Sequence, residues 1–187
     1  MTRSIIGLSG NLDRPSKTRA LVQFAVATAA TRFDAVGAVF DLADFGPSLG
    51  TARRVDDLSP TARAALQVVL SADALIVASP VYKGSYTGLF KHLIDLIDPL
   101  AFQAKPVLLA ASGGGDRHAL VIEHQLRPLF GFFEAQTLPT GVYAADRDFK
   151  DGEPAAPALI DRLSKAVDQF GPHLGRRLQP EPFALSA

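Results

Sequence analysis

Short apolar runs alternate with longer amphipathic stretches along the chain, and this alternation restricts the possible fold more than any other feature of the sequence. The pattern is typical of strand–helix units built on a parallel sheet. Because the runs lack the strict apolar–polar alternation of half-exposed strands, we expect short strands that are buried on both faces. The predicted strands are Ile5–Ser9, Val36–Leu42, Ala74–Ser79, Pro106–Ala111 and Thr137–Tyr143.

The stretches between these strands carry helix signals. Ser59 and Pro60 form an N-cap and first-turn pair that opens a helix through Leu70. The stretch Thr87–Ile97 is apolar over more than one helix face, so we expect it to bury against its own sheet and against another subunit. The other predicted helices are Thr18–Ala30, Ala119–Phe133 and Ala158–Phe170.

Composition narrows the class of protein. With 187 residues, 48% of them hydrophobic, the chain predicts one domain over residues 1–175, followed by a loosely held tail over 176–187. Nineteen basic residues balance nineteen acidic ones, which argues against a nucleic-acid partner. The absence of cysteine excludes disulfides, thiolate metal sites and cysteine nucleophiles. With no signal peptide and no membrane-spanning stretch, we expect a cytoplasmic protein without a membrane partner.

The loop after the first predicted strand contains small, hydroxyl and cationic residues and leads into a helix. A helix N-terminus beside such residues favours a phosphate monoester, although simple N-capping by Ser16 is the alternative. A nucleotide P-loop is excluded, because the spacing after Gly10 is too long and Ser16 stands where glycine is required. The candidate phosphate ligands are Ser9, Asn11, Arg14, Ser16, Lys17 and Thr18.

Two further loops follow the third and fourth predicted strands. Pro80–Tyr86 is a rigid loop with aromatic side chains and free backbone donors, which suits a flat heteroaromatic ligand. Ser112–Gly115 would let backbone approach a ligand closely, or could equally form a tight turn. Because parallel strands end at one edge of a sheet, where open α/β folds bind ligands, all three loops are expected to meet. A phosphorylated ring compound would bridge them.

Pro128 falls inside the predicted helix Ala119–Phe133. Its nitrogen cannot donate to the carbonyl of His124, and its ring crowds that carbonyl. We expect either a kink or a π-bulge around His124, the latter a feature that is frequent at functional sites, or two short helices that meet at the proline.

Other catalytic arrangements are missing from the sequence. The four histidines show no metal-ligand spacing, and there is no Gly-x-Ser-x-Gly motif, so neither a metal enzyme nor a serine hydrolase is expected. The long loops Asp44–Leu58 and Ala145–Pro157 receive no role.

Three groups of motifs together carry a family resemblance: Ser9–Asn11 with Arg14–Thr18, Pro80–Tyr86 with Gly88–Lys91, and Gly113–Gly114 with His118–Leu120 and Gln125–Leu129. Over about Ile5–Tyr143 the chain resembles the NAD(P)H-dependent FMN reductases of two-component sulfonate monooxygenase systems, nearest to the methanesulfonate type. The resemblance implies a flavodoxin-like three-layer α/β/α fold with a five-stranded parallel sheet of order 2-1-3-4-5. It also implies homodimers or homotetramers, a π-helix at the subunit contact near His124, and delivery of reduced FMN to a flavin-dependent monooxygenase.

The resemblance also implies roles for individual residues. The FMN phosphate is expected at Ser9, Asn11, Arg14, Ser16 and Thr18, with Lys17 standing where relatives often have arginine. No catalytic residue is expected, because nicotinamide and flavin carry out the hydride transfer themselves. The isoalloxazine is expected between Pro80, Val81, Tyr82 and Lys83 on one side and Ser112, Gly113 and Gly114 on the other.

Two other functions fit much the same fold. One is a reductase that keeps FMN bound and reduces quinones or azo compounds, and the other is a flavodoxin-like electron carrier or regulatory module. The sequence carries no dinucleotide fingerprint that would distinguish NADH from NADPH.

Overall fold

The computed structural model describes residues 2–175; Met1 and residues 176–187, which include the predicted tail, lie outside the described part. The main sheet is parallel throughout and consists of β1 (Arg3–Ser9), β2 (Ala35–Asp41), β3 (Ala74–Pro80), β4 (Pro106–Gly113), β5 (Gln136–Thr137) and β6 (Val142–Ala145). The order is β2-β1-β3-β4, with β5 and β6 both paired to β4. The predicted strand order is confirmed.

Helices flank this sheet on both faces. A π-helix, Ile122–Leu126, runs directly into α4, and an antiparallel hairpin, β7 (Phe149–Lys150) with β8 (Glu153–Pro154), precedes α5. Within the described residues, no helix has the length and apolar character needed to cross a bilayer. The α-helices are α1 (Lys17–Phe33), α2 (Pro60–Ser71), α3 (Gly88–Asp95), α4 (Arg127–Phe132), α5 (Pro157–Asp168) and α6 (Gly171–Leu174).

The central strand β3 shows how the layers are held together. Leu75 and Val77 point into a core formed with α2, α3, α4 and the π-helix, whereas Ala74 and Ile76 point into a second core formed with α1, α5 and α6. Every residue from Ala74 to Ser79 is buried, which explains why this strand reads as a continuous apolar run. The three-layer α/β/α prediction is confirmed.

Strand β2 departs from the prediction of full burial, which is wrong for this strand. It lies at the edge of the sheet, and most of its residues are only partly buried. Val36 is 58% exposed. Edge strands have a neighbour on one side only, so their apolar residues need not be enclosed.

The fifth strand, predicted to run from Thr137 to Tyr143, is divided into β5 and β6. Pro139 has no N–H for the ladder, so pairing with β4 stops there. Side chains satisfy the backbone in the gap: Arg127 Nη1 donates to the Leu138 carbonyl at 3.0 Å, and Arg162 Nε donates to the Gly141 carbonyl at 2.8 Å. The prediction of one continuous strand is therefore wrong.

The segment before Pro128 forms the π-helix, which confirms one of the conformations expected there. His124 lies in it with an exposed side chain, and its N–H donates to the Leu120 carbonyl at 3.0 Å. Insertion of one residue into the turn relieves the conflict between the proline ring and the preceding carbonyl.

Strand register brings the predicted site loops together. Ser9 at the end of β1 lies opposite Asp41 of β2 and Ala78 of β3, and Pro80 lies opposite Ser112 of β4. The carboxyl ends of β1, β2, β3 and β4 therefore open at one edge of the sheet, as the sequence predicts.

Candidate functional site

A cleft of about 300 Å³ lies at this edge, between the N-terminus of α1 and the loops after β3 and β4. It brings together most of the site residues predicted from the sequence. Ser9, Arg14 and Lys83 do not line it, and a flavin contact by any of the predicted residues stays a prediction. The predicted residues that do line the cleft are Asn11, Ser16, Thr18, Pro80, Val81, Tyr82, Ser112, Gly113 and Gly114.

The three loops around the cleft are fastened to one another. The Val81 N–H donates to the Ser112 carbonyl at 2.8 Å, and the Thr87 hydroxyl donates to the Gly10 carbonyl at 2.8 Å. The hydroxyls of Thr18 and Ser112 share a hydrogen bond of 2.7 Å. Because these contacts are buried, the loops hold their relative positions.

Helix α1 presents its N-terminus to the cleft. The Ser16 hydroxyl accepts a hydrogen bond from the Arg19 N–H at 3.3 Å, so Ser16 is the N-cap. The N–H groups of Lys17 and Thr18, the first two helical residues, have no acceptor within the helix. Capping by Ser16 and an anion-binding helix end are thus compatible, since the cap uses only one of the free donors.

Tyr82 stands at the mouth of the cleft on a two-residue hairpin. Tyr82 and Ser85 exchange backbone hydrogen bonds, and Lys83 and Gly84 at the tip have φ angles of 52° and 84°. These angles are those of a type I′ turn. The Ser85 hydroxyl donates to Gln125 Oε1 at 3.1 Å, so the hairpin is tied to the π-helix. Tyr82 is 52% exposed and leaves an aromatic face accessible beside the cleft.

Tyr143 supports the loop Ser112–Gly115, the glycine loop, a role that sequence reasoning missed. Its hydroxyl donates to the Gly115 carbonyl at 2.6 Å. A methyl group added to Gly113 would lie 2.6 Å from the hydroxyl oxygen of Tyr143. Burial, together with the carboxylates of Asp116 and Asp146, raises the pKa of Tyr143, so the phenol stays a hydrogen-bond donor. A side chain at position 113 would therefore displace the Tyr143 hydroxyl from its hydrogen bond to Gly115.

Ser9, Asn11 and Arg14 belong to a network centred on Asp41, a side chain with no exposed surface. The Ser9 hydroxyl donates to Asn11 Oδ1 at 2.6 Å, and Asn11 Nδ2 donates to Asp41 at 3.2 Å. The Arg14 guanidinium holds Asp41 through two hydrogen bonds of 2.7 Å and also reaches Asp44, while Arg19 lies 2.8 Å from Asp41. These contacts fix the shape of the loop before α1.

The charge on Asp41 is maintained by these partners. Burial alone would raise the pKa of Asp41, but hydrogen bonds from Arg14 and Asn11 and the charge of Arg19 outweigh it and lower the pKa below its usual value. Sequence reasoning missed this residue. A carboxylate at the end of an otherwise apolar run was the available signal, but its pairing with Arg14 depends on register between distant segments.

The loop after β6 also contributes to the site. Asp146 lines the cleft and pairs with Lys17, with 2.8 Å between Nζ and Oδ1. Nothing in the sequence distinguishes this residue, because an aspartate in a long polar loop is ordinarily a solvated charge. Among the described residues, no group of histidines or carboxylates is arranged to hold a metal ion.

Comparison with known proteins agrees with this geometry. Residues 3–150 match the family model described as NADPH-dependent FMN reductase. The chain belongs to this family. Membership makes it an oxidoreductase that acts with FMN and a reduced nicotinamide dinucleotide, and the resemblance inferred from the motifs is confirmed.

Individual relatives are similar over nearly the whole chain. An NADH-dependent FMN reductase, SfnF, of Pseudomonas fluorescens is 46% identical and an FMN reductase (NADPH) of Pseudomonas aeruginosa is 44% identical. The alignments cover 94% of both chains in the first case, and 92% of this chain and 93% of the relative in the second. An oxidoreductase structure from Corynebacterium diphtheriae superimposes with a TM-score of 0.79 at 30% identity, covering 92% of this chain and 97% of that one.

The Asp41 network gives a prediction about stability. Asp41→Asn removes a buried negative charge, so that Asp44 remains as the carboxylate partner of both Arg14 and Arg19. We therefore expect the free energy of unfolding at pH 7 to fall by about 1–3 kcal/mol. Because the pKa of Asp41 is lowered in the fold, its contribution is complete above the ordinary aspartate pKa of about 3.9 and is lost as pH falls below it. Urea unfolding measured between pH 2 and pH 7 checks this.

The control is Asp161→Asn, which changes an exposed aspartate on α5 and should leave stability nearly unchanged. The parent and Asp41→Asn curves should converge at low pH. The role given to Asp41 would be contradicted if the parent and Asp41→Asn had the same unfolding free energy at pH 7. It would also be contradicted if the difference between them stayed constant down to pH 2.

Proposed function

We propose that the protein binds FMN in the cleft at the carboxyl edge of the sheet, reduces it with NAD(P)H and releases it to a partner flavin-dependent monooxygenase. The observation that carries this proposal is the convergence of an anion-binding helix end, an aromatic hairpin and a glycine loop on one cleft. The three parts match the phosphate and the ring of FMN in chemical character.

The phosphate end of the proposed site is the start of α1. Ser16 and Thr18 supply hydroxyls, the N–H groups of the first helical residues have no acceptor within the helix, and Lys17 supplies a cation. The helix dipole adds partial positive charge at the same place. In the proposal, Asn11 lines this end, and Ser9 and Arg14 act beside it through the Asp41 network as well as through any direct contact.

The ring end is formed by Pro80–Tyr82 and Ser112–Gly114. FMN, when bound, supplies the hydride acceptor, and the protein positions it and stabilises developing charge. The glycine loop brings backbone N–H groups to the cleft, where they can receive the negative charge that reduction creates. Tyr143 and the Val81–Ser112 hydrogen bond hold this loop still, so little reorganisation is needed.

The size of the cleft favours exchange of flavin over permanent retention. At about 300 Å³ it lies at the small end of ligand pockets, which span roughly 300–1,000 Å³. A flavin held there would keep part of its surface in solvent, open to a nicotinamide and to dissociation. Exchange suits a reductase that supplies flavin to another enzyme in the cytoplasm.

We further propose that the protein self-associates through the surface around the π-helix. Leu120 and Phe132 are 63% and 68% exposed on either side of it, and His124 is exposed between them in sequence. Large apolar side chains in such positions are costly to leave in water when they form a patch. A homodimer or homotetramer would cover them.

Steady-state kinetics tests the main proposal. The rate of NAD(P)H oxidation by the purified protein should be near zero without added FMN and should rise to saturation as FMN is titrated. Addition of reduced flavin product to a flavin-dependent monooxygenase should support its turnover. A substantial rate with a quinone or an azo dye and no added FMN would instead indicate a reductase that retains FMN, and no NAD(P)H oxidation at all would indicate an electron carrier.

The phosphate assignment is tested by Ser16→Ala combined with Thr18→Ala. Loss of two hydrogen bonds to a charged group is expected to weaken FMN binding by about ten- to a hundred-fold in a fluorescence titration. Riboflavin, which lacks the phosphate, should lose much less affinity than FMN, and any loss it shows reports on the Thr18–Ser112 hydrogen bond that the variant also removes. Ser59→Ala, which removes the N-cap of α2 away from the cleft, is the matched control and should not change FMN affinity. Unchanged FMN affinity in the double variant would contradict the assignment.

The proposed subunit contact is tested by Phe132→Ser and His124→Ala. Both are expected to shift the protein toward smaller species in sedimentation velocity, because they remove side chains from the covered surface. Val36→Ser, at an exposed apolar position on the edge strand β2, should sediment like the parent. A parent that sediments as a monomer, or variants that sediment like an oligomeric parent, would contradict this contact.

A further inference from the structure

Asp146 is held in a fixed position at the rim of the cleft. It begins a single 3₁₀ turn, Asp146–Asp148, directly after β6, and Asp148 Oδ2 accepts the Ala145 N–H at 2.8 Å to close that turn. Its carboxylate lies beside the glycine loop, since a methyl group added to Gly114 would be 3.8 Å from Asp146 Oδ2. A negative charge therefore stands across the cleft from the start of α1.

The Lys17 side chain contacts two residues of the segment Asp146–Phe149. Its ammonium lies 2.8 Å from Asp146 Oδ1 and 5.7 Å from the centre of the Phe149 ring. The first contact is an ion pair, and the second is within cation–π range. Lys17 belongs to the first turn of the helix that would receive the phosphate, yet its charge is directed to the loop after β6.

The pair can open at small cost. The Lys17 and Asp146 side chains are 41% and 63% exposed, and ion pairs in such surroundings contribute little to stability. An anion that enters the cleft can therefore replace Asp146 as the partner of Lys17. Because the ion pair must first be broken, the net free energy of anion binding is reduced. Asp41, by contrast, is fully buried among its arginines and is not open to this exchange.

We propose that Asp146 lowers the affinity for FMN by competing with its phosphate for Lys17, and thereby promotes release of reduced flavin. This inference rests on the proposed function. It gives Asp146, a residue outside the predicted phosphate loop, an effect on the affinity for FMN. In the absence of flavin, the Lys17 ammonium contacts Asp146 and the Phe149 ring, both in the segment Asp146–Phe149.

The test compares FMN affinities by fluorescence titration. Asp146→Asn is expected to bind FMN about two- to five-fold more tightly than the parent, the range given by a typical exposed ion pair. Riboflavin affinity should not change, because riboflavin has no phosphate to compete for Lys17. Asp168→Asn, which disrupts the Arg32–Asp168 pair away from the cleft, makes the same change in charge and should leave FMN affinity at the parent value.

A second pair of variants separates competition for Lys17 from simple repulsion between two anions. In a Lys17→Met background, Asp146→Asn should have little further effect on FMN binding. An equal gain in affinity in both backgrounds, or no gain in the parent background, would overturn the proposal. If the parent binds no FMN, or binds FMN and riboflavin equally well, the proposed phosphate site itself fails, so the two failures are distinguishable.

Discussion

Burial of a parallel sheet on both faces determines where chemistry can occur in this protein. Side chains along β1, β3 and β4 are enclosed by helices, so polar groups are confined to the ends of the strands. Register then aligns these ends: Ser9 lies opposite Asp41 and Ala78, and Pro80 lies opposite Ser112. The cleft is a consequence of this alignment, and each loop contributes one kind of chemistry to it.

Two sets of charges at the cleft serve different purposes. Arg14 and Arg19 neutralise the buried Asp41, and this fixed network shapes the loop in advance of binding. Lys17 and Asp146 form an exposed pair that can rearrange when an anion arrives. A rigid frame with one exchangeable cation is consistent with the proposal that the site binds the phosphate of FMN and then releases it. A site that retained its phosphate ligand tightly would instead be expected to bind it with cations that have no competing carboxylate.

Local patterns in the sequence predict much of the fold and part of the site. Pro128 marks the place of the π-helix, one of the conformations expected there, because its effect is confined to the preceding turn, and Ser59 predicts a helix start because capping is equally local. The break in the fifth strand has a local signal in Pro139, which the prediction of one strand overlooked, whereas the arginines that satisfy the gap, Arg127 and Arg162, reach it from other elements. Asp41 and Asp146 were missed because their partners lie far away along the chain, and only the folded structure brings them together.

The most direct test of this account is a crystal structure of the protein with FMN. If FMN binds as proposed, its phosphate oxygens should lie within hydrogen-bond distance of the Ser16 and Thr18 side chains, with the ring between Pro80–Tyr82 and Ser112–Gly114. A phosphate bound away from the start of α1, or a ring outside the cleft at the carboxyl edge of the sheet, would contradict it.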